Sequence, residues 1–141
     1  MIKYQLDNIH KLTTDPLFYF PWIKQAIALE HHKTGNILYH FCNDQFLLEI
    51  NRDYLQHDFL TDIITFPFSG NPDIISGEIF ISIDRVMENA SLYETPFEKE
   101  FARVLIHGIL HLLGYDDHTD EEKQEMRAKE DYYLSLLPQK Q

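Results

Sequence analysis

The sequence predicts an α/β or α+β chain in which a small mixed sheet packs against helices. Two patterns carry that expectation: short period-two apolar stretches in the middle of the chain, and longer stretches of period 3.6 on either side of them. Length supports it too. A chain of 141 residues, 44% hydrophobic and 13% aromatic, has enough apolar material for one core, and domains most often hold roughly 100–150 residues. We therefore expect one domain over residues 1–141.

The elements follow in order. Residues 21–31 (PWIKQAIALEH) read as a helix. Pro21 suits a first turn, and Trp22, Ile23, Ala26, Ile27 and Leu29 form an apolar side. Residues 37–42 (ILYHFC) alternate and read as a strand after the turn pair Gly35-Asn36. Residues 44–55 read as a helix with Asp44 as N-cap and Phe46, Leu47, Ile50 and Tyr54 at helical spacing. Residues 62–68 (DIITFPF) read as a strand whose Pro67 marks an edge or bulge. The stretch 67–72 reads as a loop, and 78–83 (EIFISI) as a strand after the turn residue Gly77. A short helix capped near Asp84 runs through Ala90. The main helix is 95–113, with Thr95, Pro96 and Glu98 in an N-cap, N1 and N3 pattern. Its second half is apolar but for two histidines, which predicts burial on most sides. Gly114 supplies a C-cap. Asp120 starts a last, charged helix that Met126, Tyr133 and Leu137 dock loosely.

Composition excludes several function classes. Twelve Lys and Arg stand against 23 Asp and Glu, a formal net charge of −11. Bulk attraction to nucleic acid needs clustered cations, so a protein of that kind is excluded, while a local basic or metal-bearing site is not. The acidity lies mainly in residues 50–98 and 116–131. The single cysteine, Cys42, excludes an internal disulfide framework and a multi-cysteine zinc site. The opening residues MIKYQLDNIH hold no apolar leader-type stretch, so no secretory signal is expected, and no apolar run reaches the roughly 18 residues of a membrane helix. A cytoplasmic setting follows.

One constellation carries chemistry. His107 and His111 stand four residues apart in the helical pattern, so their imidazoles share a face. That spacing lets both reach one cation at about 2.0–2.1 Å. Gly114 then permits positive φ, and the chain can double back to offer Asp116, Asp117 or His118 as a third ligand. Three protein ligands with an open position characterise a catalytic zinc site. A lone H-x-x-x-H arises often by chance, and a buried histidine often serves only a backbone carbonyl. The glycine break and the acidic, histidine-bearing cluster beyond it tip the reading toward a metal, because bare buried imidazoles are costly. The pattern resembles the zinc-peptidase motif H-E-x-x-H-x-x-G-x-x-H, but Gly108 stands where that motif has its glutamate base. Peptide hydrolysis by that mechanism is disfavoured. Counting along the motif puts the third ligand at Asp117; His118 competes, being the commoner ligand type.

HGILHLLGYDDH, followed by Glu125-Met126, resembles the signature of the YbeY family of bacterial rRNA maturation factors. Thr61 to Pro67 (TDIITFP) resembles the family strand T-D-V-L-S-F-P, and Gly77 to Ser82 (GEIFIS) resembles its G-D-I-x-I-S strand. The resemblance implies a zincin-like α+β fold with the metal site on the long helix and the following turn. It implies a single-strand-specific, metal-dependent endoribonuclease acting in 16S rRNA 3′-end maturation and ribosome quality control. One zinc ion is implied, with His107, His111 and Asp117 at the ligand positions. The implied partners are single-stranded rRNA and the ribosomal subunit or its proteins, with no membrane and no DNA. The family's third ligand is usually histidine, and Asp117 holds that place here; its spacing to Met126 matches the family, whereas a one-residue insertion would favour His118. The family also often has an arginine in Y-R-x-K-D-x-P-T-D. Here Leu55 takes the arginine place and His57 the lysine place. Arg52 and Arg85 are candidate replacements, with solvated surface cations as the simpler reading.

For RNA cleavage the metal would polarise a phosphoryl oxygen or lower the pKa of its water toward about 7. Asp116 is a candidate for orienting a ligand or accepting a proton, His57 a candidate base, and Tyr115 is expected to pack over the metal turn. Two other classes stay open: a ribosome assembly factor with a mainly structural zinc, and a peptidase-like zinc hydrolase.

Overall fold

The computed structural model describes residues 1–56, 61–68 and 70–139. Among the described residues four strands and five α-helices follow one another, interleaved in the first half and helical at the end. They are β1 (Ile2–Asp7), α1 (Phe20–Leu29), β2 (Lys33–Cys42), α2 (Asp44–Leu55), β3 (Ile63–Pro67), β4 (Ile74–Ser82), α3 (Ile83–Leu92), α4 (Phe97–Leu112) and α5 (Asp120–Ser135), with a short 3-10 turn at Pro16–Tyr19. The sheet order is β1-β2-β4-β3. β1, β2 and β4 run parallel, and β3 lies antiparallel at the edge. The sheet is therefore mixed and helices cover it, which is the α+β class expected.

Alternation along the central strands divides the molecule into two layers. Ile37, Tyr39 and Phe41 of β2 and Ile79 and Ile81 of β4 are fully buried in the main core with α1 and α4. Cys42 and Phe80 fall on the other face, in a smaller cluster with Leu47 of α2 and Ile64 of β3. The Tyr39 hydroxyl crosses the main layer and donates to the Leu105 carbonyl of α4 at 2.9 Å. The phenolic group is thereby satisfied in a buried site. Burial pushes its pKa well up, so it stays a donor.

Several local expectations are corrected. β1 was not anticipated: Ile2, Tyr4 and Leu6 alternate with polar residues, but three apolar positions make a short signal. Gly35 and Asn36 are not a turn before β2; they lie within it, at a register shift between Thr34 and Ile37. Gly77 likewise sits inside β4. The caps move by one or two residues. Asn43, not Asp44, caps α2 by accepting from the Phe46 N–H at 2.9 Å. Ser82, two residues before Asp84, caps α3, within the neighbourhood expected. Asp44 is instead held by Ser82 Oγ at 2.7 Å and Arg85 Nε at 3.0 Å, which locks the starts of α2 and α3 together. Pro96 stands at the N-cap of α4 without a side-chain bond, so Thr95 does not cap it. Thr119 and Glu122 form a reciprocal capping box at α5.

Helix α5 is also not loosely docked. Met126 and Tyr133 are 2% and 1% exposed, and the Trp22 indole of α1 donates to the Tyr133 carbonyl at 2.7 Å. Two partly apolar turns in a charged helix look weak in sequence, but here they seat against α1 and α4 and carry a buried carboxylate, Glu130, between them.

Candidate metal centre

Helix α4 is the most buried helix of the fold, and most side chains from Glu100 to Leu110 are inside. It can run this close to the sheet because of Gly108. A Cβ there would stand 2.9 Å from Ile79 Cγ2 and 3.0 Å from Ile63 Cδ1. Position 108 thus faces the sheet with no room for a glutamate, which gives the missing peptidase base a steric cause. His107 and His111 project from the adjoining, partly exposed flank of the helix, with side-chain exposures of 20% and 21%.

The helix ends where the site needs it to end. Gly114 adopts φ +104°, a conformation in which a Cβ would be strained. The Gly114 N–H donates to the His111 carbonyl and the Tyr115 N–H to the Leu110 carbonyl, each at 3.0 Å. This is a Schellman closure, and it satisfies two otherwise orphaned helix carbonyls. The chain then turns back and brings Asp117 over the two imidazoles.

Three donor atoms converge. His107 Nε2 and His111 Nε2 are 3.0 Å apart. Asp117 Oδ2 stands 3.4 Å from the first and 3.6 Å from the second. Ligands at about 2.0–2.1 Å in tetrahedral array have donor separations of roughly 3.3 Å, so this triangle has the size a small divalent cation requires. His107, His111 and Asp117 form a group able to hold a metal ion, and no other such group occurs among the described residues. His118 lies outside it: its side chain is exposed and its N–H donates to Glu122 Oε1 at 3.2 Å.

Both rings are supported from behind. His107 Nδ1 meets Glu130 Oε2 at 2.7 Å, and the other oxygen of Glu130 takes Arg103 Nη1 at 2.8 Å. His111 has a hydrogen bond to the Tyr115 backbone. Burial disfavours the charged form of His107, but the bond to Glu130 and the charges of Glu130, Asp62 and Asp117 outweigh it and hold the ring above its ordinary value. For His111, burial and the neighbouring His107 act together and push the ring down despite Asp117. A depressed imidazole is a neutral imidazole, the form that donates a lone pair to a metal.

The metal turn is tied to two helices through Glu30, at the end of α1. The Tyr115 hydroxyl donates to Glu30 Oε1 at 2.6 Å, Lys129 Nζ donates to Oε2 at 3.0 Å, and the Tyr133 hydroxyl donates to Oε2 as well. The expectation for Tyr115 is thereby sharpened: it is an anchor running from the turn to α1. Two clefts flank the site. One of about 390 Å3 is bordered by Glu30, Tyr115 and Asp116. The other, about 180 Å3, is bordered by Asp62, Tyr93, Glu100, Arg127 and His107.

The remaining candidates fall elsewhere. Asp116 is exposed on the side of the larger cleft. Arg52 is exposed beside Asp53 at 3.8 Å. Arg85 is committed to Asp44 and Glu88. Leu55 is exposed at the end of α2, and His57 lies outside the described residues. Glu130, Arg103 and Glu30 were missed. Position 130 had a readable signal, an acidic residue between Met126 and Tyr133 on the stripe that docks α5. Arg103 is four residues before His107 and shares its face. Glu30 had no local signal.

Comparison with known proteins agrees with this architecture. A family model described as "Endoribonuclease YbeY" matches residues 7–138. The chain is 50% identical over 123 residues to "Endoribonuclease YbeY" of Flavobacterium psychrophilum, covering 87% of each chain. It is 44% identical over 137 residues to the protein of that name from Phocaeicola vulgatus, covering 97% of this chain and 99% of that one. Among solved structures it is similar to the solution structure of TM1509 from Thermotoga maritima, with 29% identity and a TM-score of 0.63 over 97% of this chain and 89% of that one. A half-buried His-His-Asp triangle at the end of the longest buried helix, the family match over nearly the whole chain and the shared fold lead to one conclusion: this chain belongs to the YbeY endoribonuclease family.

Proposed function

We propose that this chain, as one domain over residues 1–141, is a zinc-dependent endoribonuclease. Its substrate is single-stranded rRNA, cut during 16S rRNA 3′-end maturation and ribosome quality control in the cytoplasm. The observation that carries the proposal is the triangle of His107 Nε2, His111 Nε2 and Asp117 Oδ2, with sides of 3.0, 3.4 and 3.6 Å. Two imidazoles and one carboxylate form an N2O donor set suited to zinc. When bound, the ion supplies Lewis-acid chemistry to a phosphodiester.

The chain's own residues prepare that chemistry. His107 and His111 are held with Nε2 toward the shared volume. Asp117 contributes one negative charge, which leaves a divalent ion with net positive charge to meet a phosphate. Glu30, through Tyr115, holds the turn that carries Asp117. No glutamate base of the peptidase type stands beside the first histidine, and the sheet contact at Gly108 leaves no space for one. That observation favours a phosphodiester substrate over a peptide. No described helix is long and apolar enough to cross a membrane.

The test is cleavage of single-stranded rRNA fragments by the purified protein, with and without chelator. We expect cleavage that chelator and His111→Ala both abolish. Ribosome association without any cleavage would instead assign the protein an assembly role.

A further inference from the structure

We propose that Glu130, clamped by Arg103, is the positioning residue of the metal centre: it fixes His107 in the Nδ1–H form and so leaves Nε2 bare toward His111 and Asp117. Glu130 is 5% exposed and uses both oxygens, Oε2 at 2.7 Å from His107 Nδ1 and Oε1 at 2.8 Å from Arg103 Nη1. Arg103 is itself held, since its other terminal nitrogen meets Asp131 Oδ1 at 2.8 Å. A buried carboxylate so engaged cannot turn away without leaving a charge unpaired.

The chemistry of the pair is directional. An ionised carboxylate only accepts, so His107 Nδ1 must carry the hydrogen. A neutral imidazole has one N–H, which makes Nε2 the lone-pair nitrogen. Nε2 is the atom that stands 3.0 Å from His111 Nε2 and 3.4 Å from Asp117 Oδ2. A carboxylate on the outer nitrogen also makes the ligating nitrogen more basic. Without Glu130 the ring would be free to flip and to take the other tautomer. The partner comes from α5, 23 residues beyond His107, so it lies outside the histidine motif. A purely structural tie between α4 and α5 would stabilise the fold but would leave the His107 tautomer and the metal affinity unchanged in any variant that still folds.

The inference rests on reading the donor triangle as a metal site, and the test separates the two ideas. Full-length wild type, Glu130→Gln and Glu130→Ala are prepared metal-free, and their folding is checked by circular dichroism. Histidine side-chain 15N NMR is recorded at alkaline pH, where the rings are neutral, and Zn2+ affinity is measured by competition with a chromophoric chelator. We expect wild-type His107 as the Nδ1–H tautomer and loss of that bias in Glu130→Ala. His111, supported by the Tyr115 backbone, should not change and reports on the integrity of the site. We expect Zn2+ affinity to fall about 10–100-fold in Glu130→Ala, and by less in Glu130→Gln, whose carbonyl can accept the same N–H without the charge. If Glu130→Ala does not fold, Glu130→Gln decides on the same two readouts, with any fall in affinity supporting the role. Wild-type tautomer and wild-type affinity in a folded variant would overturn the proposal, as would a wild-type His107 protonated on Nε2. A wild type that takes up no Zn2+ would sink the metal reading, while the tautomer in the metal-free protein would still decide what Glu130 does.

Discussion

Gly108 and Asp117 set what the site can be. At Gly108 the sheet approaches so closely that a methyl group would stand 2.9 Å from Ile79 Cγ2. Gly108→Ala should therefore destabilise the protein by about 1–3 kcal/mol through overpacking, in spite of alanine's better helix propensity. A denaturant midpoint equal to or above wild type would show that the contact relaxes without cost. At the turn, Asp117 stands within 3.6 Å of both imidazoles, while the His118 side chain is exposed and its backbone N–H is bonded to Glu122. Asp117→Ala should then lose bound zinc by elemental analysis and His118→Ala should keep it. The opposite result would move the third ligand by one residue.

At the scale of elements, α5 changes character between its sequence and its packing. It is strongly charged, yet Met126, Glu130 and Tyr133 are buried and reach His107 and Glu30. Glu30 gives this arrangement a pH signature. Partial burial raises its carboxyl pKa, but hydrogen bonds from Tyr115, Tyr133 and Lys129 outweigh burial and hold it below the ordinary value of 4.5. A carboxyl lowered in the folded state stabilises the fold at pH above its unfolded value, and that stability disappears as pH falls through the folded value. Glu30→Gln should accordingly lower Tm at neutral pH, and its deficit against wild type should shrink as pH falls below 4.5. Thermal unfolding at a series of pH values checks this; a deficit independent of pH would mean that the charge of Glu30 is not what binds α1 to α5. At the other end of the site, the Schellman closure at Gly114 makes the metal turn an extension of α4. Gly114→Ala should cost about 1–2 kcal/mol, because an alanine at that φ is strained. The same unfolding measurement shows whether the turn carries that strain or shifts to avoid it.

For the whole molecule, the net charge of −11 limits how RNA is met. Beside the site, Arg103 is occupied by Glu130 and Asp131, and Arg127 faces a cleft that also holds Asp62 and Glu100. Few phosphates can be neutralised there, so binding of a single-stranded oligonucleotide should show a shallow salt dependence, with a log–log slope of magnitude below about 2. A steep slope would reveal a cationic face elsewhere on the molecule. Much of this protein was legible in its sequence, because the relevant physics is local. Helical spacing puts His107 and His111 on one face, Gly114 permits the turn, and alternation marks the central strands. Some of the rest depends on which of several neighbouring polar groups packing selects, as at the cap of α2, where Asn43 takes the place expected of Asp44. The remainder depends on contacts between distant segments: the return of Asp117 rather than His118 to the imidazoles, the 2.7 Å bond from His107 to Glu130, and the reach of Tyr115 across to Glu30. Those pairings are decided by how α1, α4 and α5 dock, and docking is set by the shape and burial of their apolar faces, which no local spacing encodes.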